Sequence, residues 1–298
     1  MNGKTRKAFE ETRKKDCGLY LSGADKLKYF ERLIKPYDKK ERKVFITQYL
    51  SADGNELNHK FWSINSSSRF AFELYSWMAN DPEVLDFEFE KKLYNIKGSP
   101  KKPNMDVYIE KKDTIIFIES KFSEHSPQNI EKLSDSYYLP KGESKNSKSE
   151  IIERYYNLEN FAKEIPAFIK KVYKVLSQHY DSCWMDYKQE ITHLIGIALT
   201  VIKNPQIYRN KIIKFLNVYY DFEDKTDSPF EWFFEEGESL LKGLLKNHCK
   251  SFTYRYISAQ EMVKGSEVAI FKKNTIAFGT ENATIGEILK KQFNFELK

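Results

Sequence analysis

Asp106, Glu119 and Lys121 are residues whose types and spacing suit catalysis. They lie in PNMDVYIEKKDTIIFIESK, residues 103–121. Two runs rich in β-branched and aromatic residues, MDVYIE (105–110) and TIIFIESK (114–121), flank a turn at Lys112-Asp113, the pattern of a β-hairpin. Closing the hairpin there sets Asp106 opposite Glu119, Val107 opposite Ile118, Tyr108 opposite Phe117 and Ile109 opposite Ile116. Side chains alternate along a strand, so Val107, Ile109, Ile116 and Ile118 share a uniformly apolar face. Asp106, Glu119 and Lys121 share the other face. Two carboxylates opposed across a ladder repel each other, and a divalent cation between them removes the repulsion. Mg²⁺ favours carboxylate and water oxygens and binds through one or two carboxylates plus substrate phosphate. Lys121 points to the same side, where it would orient a water and help neutralise a phosphate. Cation, nucleophile positioning and charge stabilisation together meet the requirements of metal-assisted phosphodiester hydrolysis.

The elements that must position these groups are legible around them. Asn65-Ser66-Ser67-Ser68 supplies N-cap candidates for a helix over about 68–79, ended by Asp81-Pro82. Glu73 lies among Phe70, Leu74 and Trp77 on the apolar face of that helix. A carboxylate there needs a partner, and a shared metal or Lys121 would serve. A strand over about 85–94 and a polar link, IKGSPKKPN, lead into the hairpin. Residues 123–149 read as a polar surface loop. Helices follow at about 150–162, 166–179 and 186–196, and IGIALTVI (195–202) reads as the end of the last or as a buried strand. Beyond Asn204-Pro205 the pattern predicts helices at about 207–215, 230–248, 258–264 and 284–292, with strands at 216–222 and 252–257. Upstream, helices are predicted at 4–16 and 25–35, and KVFITQYL (43–50) as a strand or a short helix.

An aspartate separated by twelve residues from Glu-x-Lys on a β-hairpin resembles the PD-(D/E)XK nuclease superfamily, the restriction-endonuclease-like enzymes. Asp106, Glu119 and Lys121 match the D…ExK signature, with Ser120 at its variable position. Met105 stands where the proline is usual, and Pro103 lies three residues before the aspartate. The upstream helix with Glu73 resembles the first core helix of these enzymes, and Gln189 in QEITH sits where many members carry a helical glutamine. The resemblance implies an α-β-β-β-α-β core, a central mixed β-sheet flanked by helices. It implies hydrolysis of DNA phosphodiesters with Mg²⁺ or Mn²⁺ held by Asp106, Glu119 and the Ser120 carbonyl. Lys121 would position the water, Glu73 would tune the metal or the lysine, and Gln189 would place the substrate or Lys121. Three regions follow: a basic, mainly helical arm (1–65), a nuclease-like core (66–205) with a helical insertion at about 123–184, and an α/β C-terminal extension (206–298). A restriction-type endonuclease is the specific role the family suggests. DNA is the partner expected, with RNA left open, and two-strand cutting makes a homodimer a natural arrangement.

Composition frames this reading. Of 298 residues, 41% are hydrophobic and 31% charged, which is globular. No stretch approaches the ~18 continuous apolar residues of a spanning helix, the N-terminus has no secretory h-region, and Cys17, Cys183 and Cys249 form no disulfide framework or CxxC pair. A cytoplasmic protein with no membrane partner is therefore expected. Net charge is +6, yet residues 1–43 alone hold 14 Lys and Arg against 7 Asp and Glu. Such an asymmetric arm suits a polyanion. The plainer readings are a solvated lysine-rich helix, a cross-strand salt-bridge set at Asp106, Glu119 and Lys121, and a Glu73–lysine pair. Glu90 reads first as part of a polar strand face, and Gln189 and His193 as a solvated helix edge. A catalytically silent nucleic-acid-binding protein, or a protein-interaction module of a defence system, are the other functions the residues allow. Walker, G-x-G-x-x-G and G-x-S-x-G motifs are absent.

Overall fold

The structure is a computed structural model that describes residues 23–35, 37–51, 57, 60–62, 66–99, 101–121, 128–129, 131–138, 146–179, 182–183, 185–219, 230–259, 261, 275–278 and 281–284. Its centre is a five-stranded mixed sheet. β1 (Val84–Lys92), β2 (Asn104–Lys111) and β3 (Thr114–Lys121) form an antiparallel meander. β4 (Gln128–Asn129) and β5 (Ser182–Cys183) make a separate small ladder. β6 (Ile212–Tyr219) then joins the main sheet parallel to β3, and β7 (Ser251–Ser258) joins parallel to β6, for a spatial order β1-β2-β3-β6-β7. A further hairpin, β8 (Thr275–Phe278) and β9 (Glu281–Thr284), stands outside it. The β2–β3 register runs from Val107 opposite Ile118 to Glu110 opposite Ile115, as the hairpin pattern predicts.

Helices cover both faces. Against one face pack α1 (Gly23–Leu33), α2 (Lys39–Ser51) and α3 (Ser67–Tyr75). Their Phe30, Phe45, Tyr49 and Phe72 meet Phe89, Val107, Ile109 and Ile118 of the sheet in one apolar cluster. The other face carries α4 (Asn146–Arg154), α5 (Glu159–His179), α6 (Tyr187–Lys203) and α8 (Phe230–Leu245), with the short α7 (Pro205–Tyr208) between α6 and β6. Tyr108, Ile115, Phe117, Ile213, Phe215 and Tyr254 of the sheet lie in that cluster. The result is an α/β fold of three layers. Among the described residues no helix is long and apolar enough to cross a membrane.

Two readings left open by the sequence resolve as helix, and one element differs from its expectation. KVFITQYL belongs to α2, because Asp38 and Glu41 form a reciprocal capping box: each backbone N–H donates to the other's carboxylate at 2.8 Å. Phe45 and Tyr49, four apart, are its buried pair. IGIALTVI continues α6, a helix started by the Asp186 side chain accepting from the Gln189 N–H at 3.0 Å. That helix is apolar nearly all round because sheet and helices enclose it. Residues 212–215 are strand rather than helix: Ile213 and Phe215 are buried and their neighbours less so, a period of two. The region expected to be a C-terminal extension thus supplies two strands of the central sheet, one paired with the strand that carries Glu119 and Lys121. The helices expected at 4–16 and 284–292, most of 258–264 and much of the 123–149 loop lie outside the described residues.

The link between β1 and β2 is locked against α6 at Gly196. A Cβ there would stand 2.9 Å from Pro103 Cγ and 3.0 Å from Leu93 Cβ and Cδ1. Leu93 is buried and Pro103 is a half-buried ring fixed to the backbone of the link, so neither can swing away freely. Gly196→Ala is predicted to destabilise the protein by about 1–3 kcal/mol, the cost of overpacking a filled core. Urea unfolding checks this; an unchanged midpoint would show that the link yields.

Candidate active site

The β2–β3 ladder stops at Val107 and Ile118, and the site begins where the strands part. Past that point the Asp106 carboxylate takes the place of a ladder acceptor: Oδ2 accepts the Ser120 backbone N–H at 2.6 Å. Asp106 therefore lies in the gap between the strands. N–H and C=O of one residue in an extended strand point to the same side, so the Ser120 carbonyl is turned toward the same gap. β1 changes character at this level. Glu90, between the Phe89–Val107 and Lys91–Met105 pairs, has a left-handed φ of 53°. Phe89 and Val107 lie in the α3-side cluster, whereas Met105 lies in the α6-side one. The kink turns both strands at the height of the carboxylates.

Glu119, Lys121 and Gln189 form a closed triangle. Lys121 Nζ donates to Glu119 Oε1 at 2.6 Å and to Gln189 Oε1 at 2.5 Å. Gln189 Nε2 donates to the same Glu119 Oε1 at 2.8 Å. The Asp186 cap holds Gln189 in the first turn of α6, where its side chain reaches the strand ends. Gln189 is thus a site residue and not a solvated helix edge. So is His193, one turn on and 2% exposed.

The electrostatics converge on a shortage of positive charge. Burial pushes the Asp106 carboxyl well above the usual carboxylate range, helped by the charges of Glu119 and Glu90 and opposed by Lys121 and the Ser120 N–H. Glu90 belongs to the site electrostatically, beyond the polar strand face assigned to it. Glu119 Oε2 is buried and has no hydrogen-bond partner among the described residues. Its neighbour at 3.6 Å is His193 Nδ1, equally without one. Burial lowers the His193 pKa and keeps the ring neutral, and the ring hydrogen-bonds to the Asn104 backbone. The 3.6 Å approach is therefore no ion pair. Two lone-pair atoms face each other across a space that asks for a cation or a donor.

These donors suit a hard divalent cation. Among the described residues no three His, Cys, Asp or Glu side chains form a protein-only metal cage. Mg²⁺ seldom needs one, since it binds through one or two carboxylates and completes its shell with water and phosphate. Asp106 and Glu119 Oε2, with the Ser120 carbonyl, fit that role.

Glu73 is buried on α3, and its partner is Arg69, one turn back on the same helix, at 2.6 Å. The lysine pairing expected for it is replaced by this ion pair, set in register by Ser66, whose hydroxyl caps the helix on the Arg69 N–H at 2.9 Å. Phe70 and Leu74 are buried beside it, and the Trp77 side chain lies outside the described residues. Tyr75, at the end of α3, stands beside Asp106 and the Ser120 side chain.

One carboxylate escaped the sequence reading. Glu190 is fully buried beneath the triangle, and its Oε2 accepts the Tyr254 hydroxyl at 2.8 Å. Desolvation raises its pKa to about 7; Lys121 lowers it, Glu119 raises it, and Tyr254 and Asn217 lower it. Its signal was its place on the stripe Glu190, Leu194, Ile197, Val201, where a charge interrupts an apolar face. The chain matches no family model, no curated protein and no solved structure.

Two stability predictions follow from the buried charges. Arg69→Met removes one half of a buried ion pair and should cost about 3–5 kcal/mol, read as a fall in the urea midpoint; a loss below about 1 kcal/mol would show the pair to be dispensable. Glu190 has a folded pKa of about 7 against its ordinary 4.5. Between those values the unfolded chain releases a proton that the folded one keeps, so this group's contribution to stability falls as pH rises through that window. Glu190→Gln should match the wild type near pH 4.5 and exceed it near pH 8, by on the order of 3 kcal/mol at most. A difference independent of pH would contradict this.

Proposed function

We propose that the chain is a metal-dependent nuclease that hydrolyses DNA phosphodiester bonds, with a restriction-endonuclease-like core. The observation that carries this reading is the divided Glu119 carboxylate. One oxygen is saturated by Lys121 and Gln189, and the other is buried without a donor, beside an Asp106 carboxyl that Glu119 itself disfavours from ionising. The order α3-β1-β2-β3-α6-β6, with α4 and α5 inserted, supports the α-β-β-β-α-β core that the D…ExK signature suggests.

On this reading Asp106, Glu119 and the Ser120 carbonyl hold Mg²⁺ or Mn²⁺. The metal, when bound, polarises the phosphate and lowers the pKa of water. Lys121 orients the attacking water and stabilises charge that develops on the phosphate. Gln189 holds the Lys121 ammonium and Glu119 in fixed relation, so the lysine does not collapse across the carboxylates. Glu73 acts at one remove: its buried ion pair with Arg69 steadies α3, the helix that ends in Tyr75 beside Asp106. Lys39, Lys40 and Lys43 of α2 are exposed and serve phosphate contact, which weakens steeply with salt.

Asp106→Ala and Lys121→Ala should each reduce cleavage of plasmid and linear DNA by about a hundredfold or more, with DNA binding largely retained. EDTA should stop the wild type and Mg²⁺ or Mn²⁺ restore it. Full activity in both variants, or cutting that resists the chelator, overturns the reading.

A further inference from the structure

The link between β1 and β2 does more than connect strands. Lys97, Lys101 and Lys102 lie on it, and Lys203 ends α6 beside it. Lys203 Nζ sits 4.0 Å from the Tyr156 ring centroid and Lys97 Nζ 5.7 Å from the same ring. Lys102 Nζ stands 5.9 Å over Tyr94, which is 38% exposed. Each ammonium gains from its ring, yet two like charges share one tyrosine. Among the described residues the acid paired with these lysines is Glu153, 3.9 Å from Lys97 and itself largely exposed. The patch stays positive.

It is also stiff, which a merely solvated lysine loop need not be. The buried Asn95 amide donates to Ser99 Oγ at 2.8 Å and to the Lys101 carbonyl at 2.7 Å, and its Oδ1 accepts the Tyr137 hydroxyl at 3.0 Å. Tyr156 Oη donates back to the Asn95 carbonyl at 2.9 Å, and the Lys97 N–H to the Arg154 carbonyl at 2.9 Å. Tyr156 and Asn157 hold left-handed φ values of 60° and 62°, uncommon for residues with a Cβ. That conformation fixes the ring between the two lysines. Side chains held at fixed spacing lose less entropy on meeting a ligand.

We infer that Lys97, Lys101, Lys102 and Lys203, arrayed over Tyr94 and Tyr156, form a preorganised contact for the phosphate backbone of duplex DNA beside the active site. A phosphate between Lys97 and Lys203 relieves their repulsion without disturbing either cation–π contact. The patch is joined to the site by α6: His193 and Lys203 are ten residues apart on it, about 15 Å along the axis. That is about four base-pair steps of duplex. A duplex whose reacting phosphate lies at Asp106 and Glu119 therefore has backbone within reach of these lysines. The inference rests on the nucleic-acid reading above and adds to the α2 lysines a second, stiffer contact surface.

The test is binding of a 20-base-pair DNA duplex in EDTA, across a salt series, so that no cleavage intrudes. The triple variant Lys97→Gln, Lys101→Gln, Lys203→Gln should bind about tenfold more weakly near 100 mM salt. The slope of log K against log salt should shrink by about two to three, the loss of three phosphate contacts. Neutralising Lys242, Lys246 and Lys250 instead, on and after α8, should leave that slope unchanged. An unaltered slope in the first variant, or an equal fall in the second, overturns the patch. Cleavage with Mn²⁺ is scored separately. A wild type that binds with the predicted slope and never cuts sinks the nuclease reading alone; one that cuts while the triple variant binds normally sinks the patch alone.

Discussion

Placing two carboxylates where a β-ladder ends, Glu119 buried and Asp106 half-buried, is the constraint on which the rest of this structure depends. Asp106 fills the gap between β2 and β3 by accepting the Ser120 N–H, and Glu119 follows the last ladder pair directly. Burial and the charge of Glu119 both hold the Asp106 carboxyl above the usual carboxylate range. The fold meets part of the demand with Lys121 and Gln189 on one oxygen of Glu119. The other oxygen stays unanswered. A site that was only structural would be expected to satisfy both, because a buried acceptor without a donor costs free energy and brings none back.

The surrounding elements exist to hold that imbalance still. α6 is capped by Asp186, and the cap fixes Gln189. Gly196 lets the β1–β2 link lie against the same helix, which brings the Asn104 backbone to His193. On the opposite face the aromatic layer of α1, α2 and α3 grips Phe89, Val107 and Ile118, so the strands that carry the carboxylates are clamped from both sides. Glu190 and Tyr254 form a lower tier that ties α6 to β7. Strain at Glu90 sits at the level of the site, as functional strain often does.

Much of this was legible because local chemistry and tertiary structure agree in the hairpin. Val107, Ile109, Ile116 and Ile118 alternate with polar or aromatic neighbours, and one register buries three of them and packs the half-buried Ile116 against the same cluster. The partner of Glu73 was misjudged because Arg69 is four residues away on its own helix, and helical geometry makes that the nearer neighbour. Gln189 and His193 looked like a helix edge because no local pattern reveals that β3 ends against the N-terminal turns of α6. The C-terminal strands were set apart for a similar reason: β6 pairs in parallel with β3 across nearly a hundred residues, a contact that no short-range pattern records. The α2 capping box, by contrast, was present as Asp38-x-x-Glu41 and was overshadowed by the β-branched run that follows it.

The central claim is that the space beside Glu119 Oε2 is made for a divalent cation. Anomalous diffraction from crystals equilibrated with Mn²⁺ addresses it most directly. The account predicts a single strong anomalous peak between the Asp106 carboxylate and Glu119 Oε2, lost in Asp106→Ala. Absence of a peak there, with Glu119 Oε2 instead hydrogen-bonded to an ordered water or to a protonated His193, would contradict it.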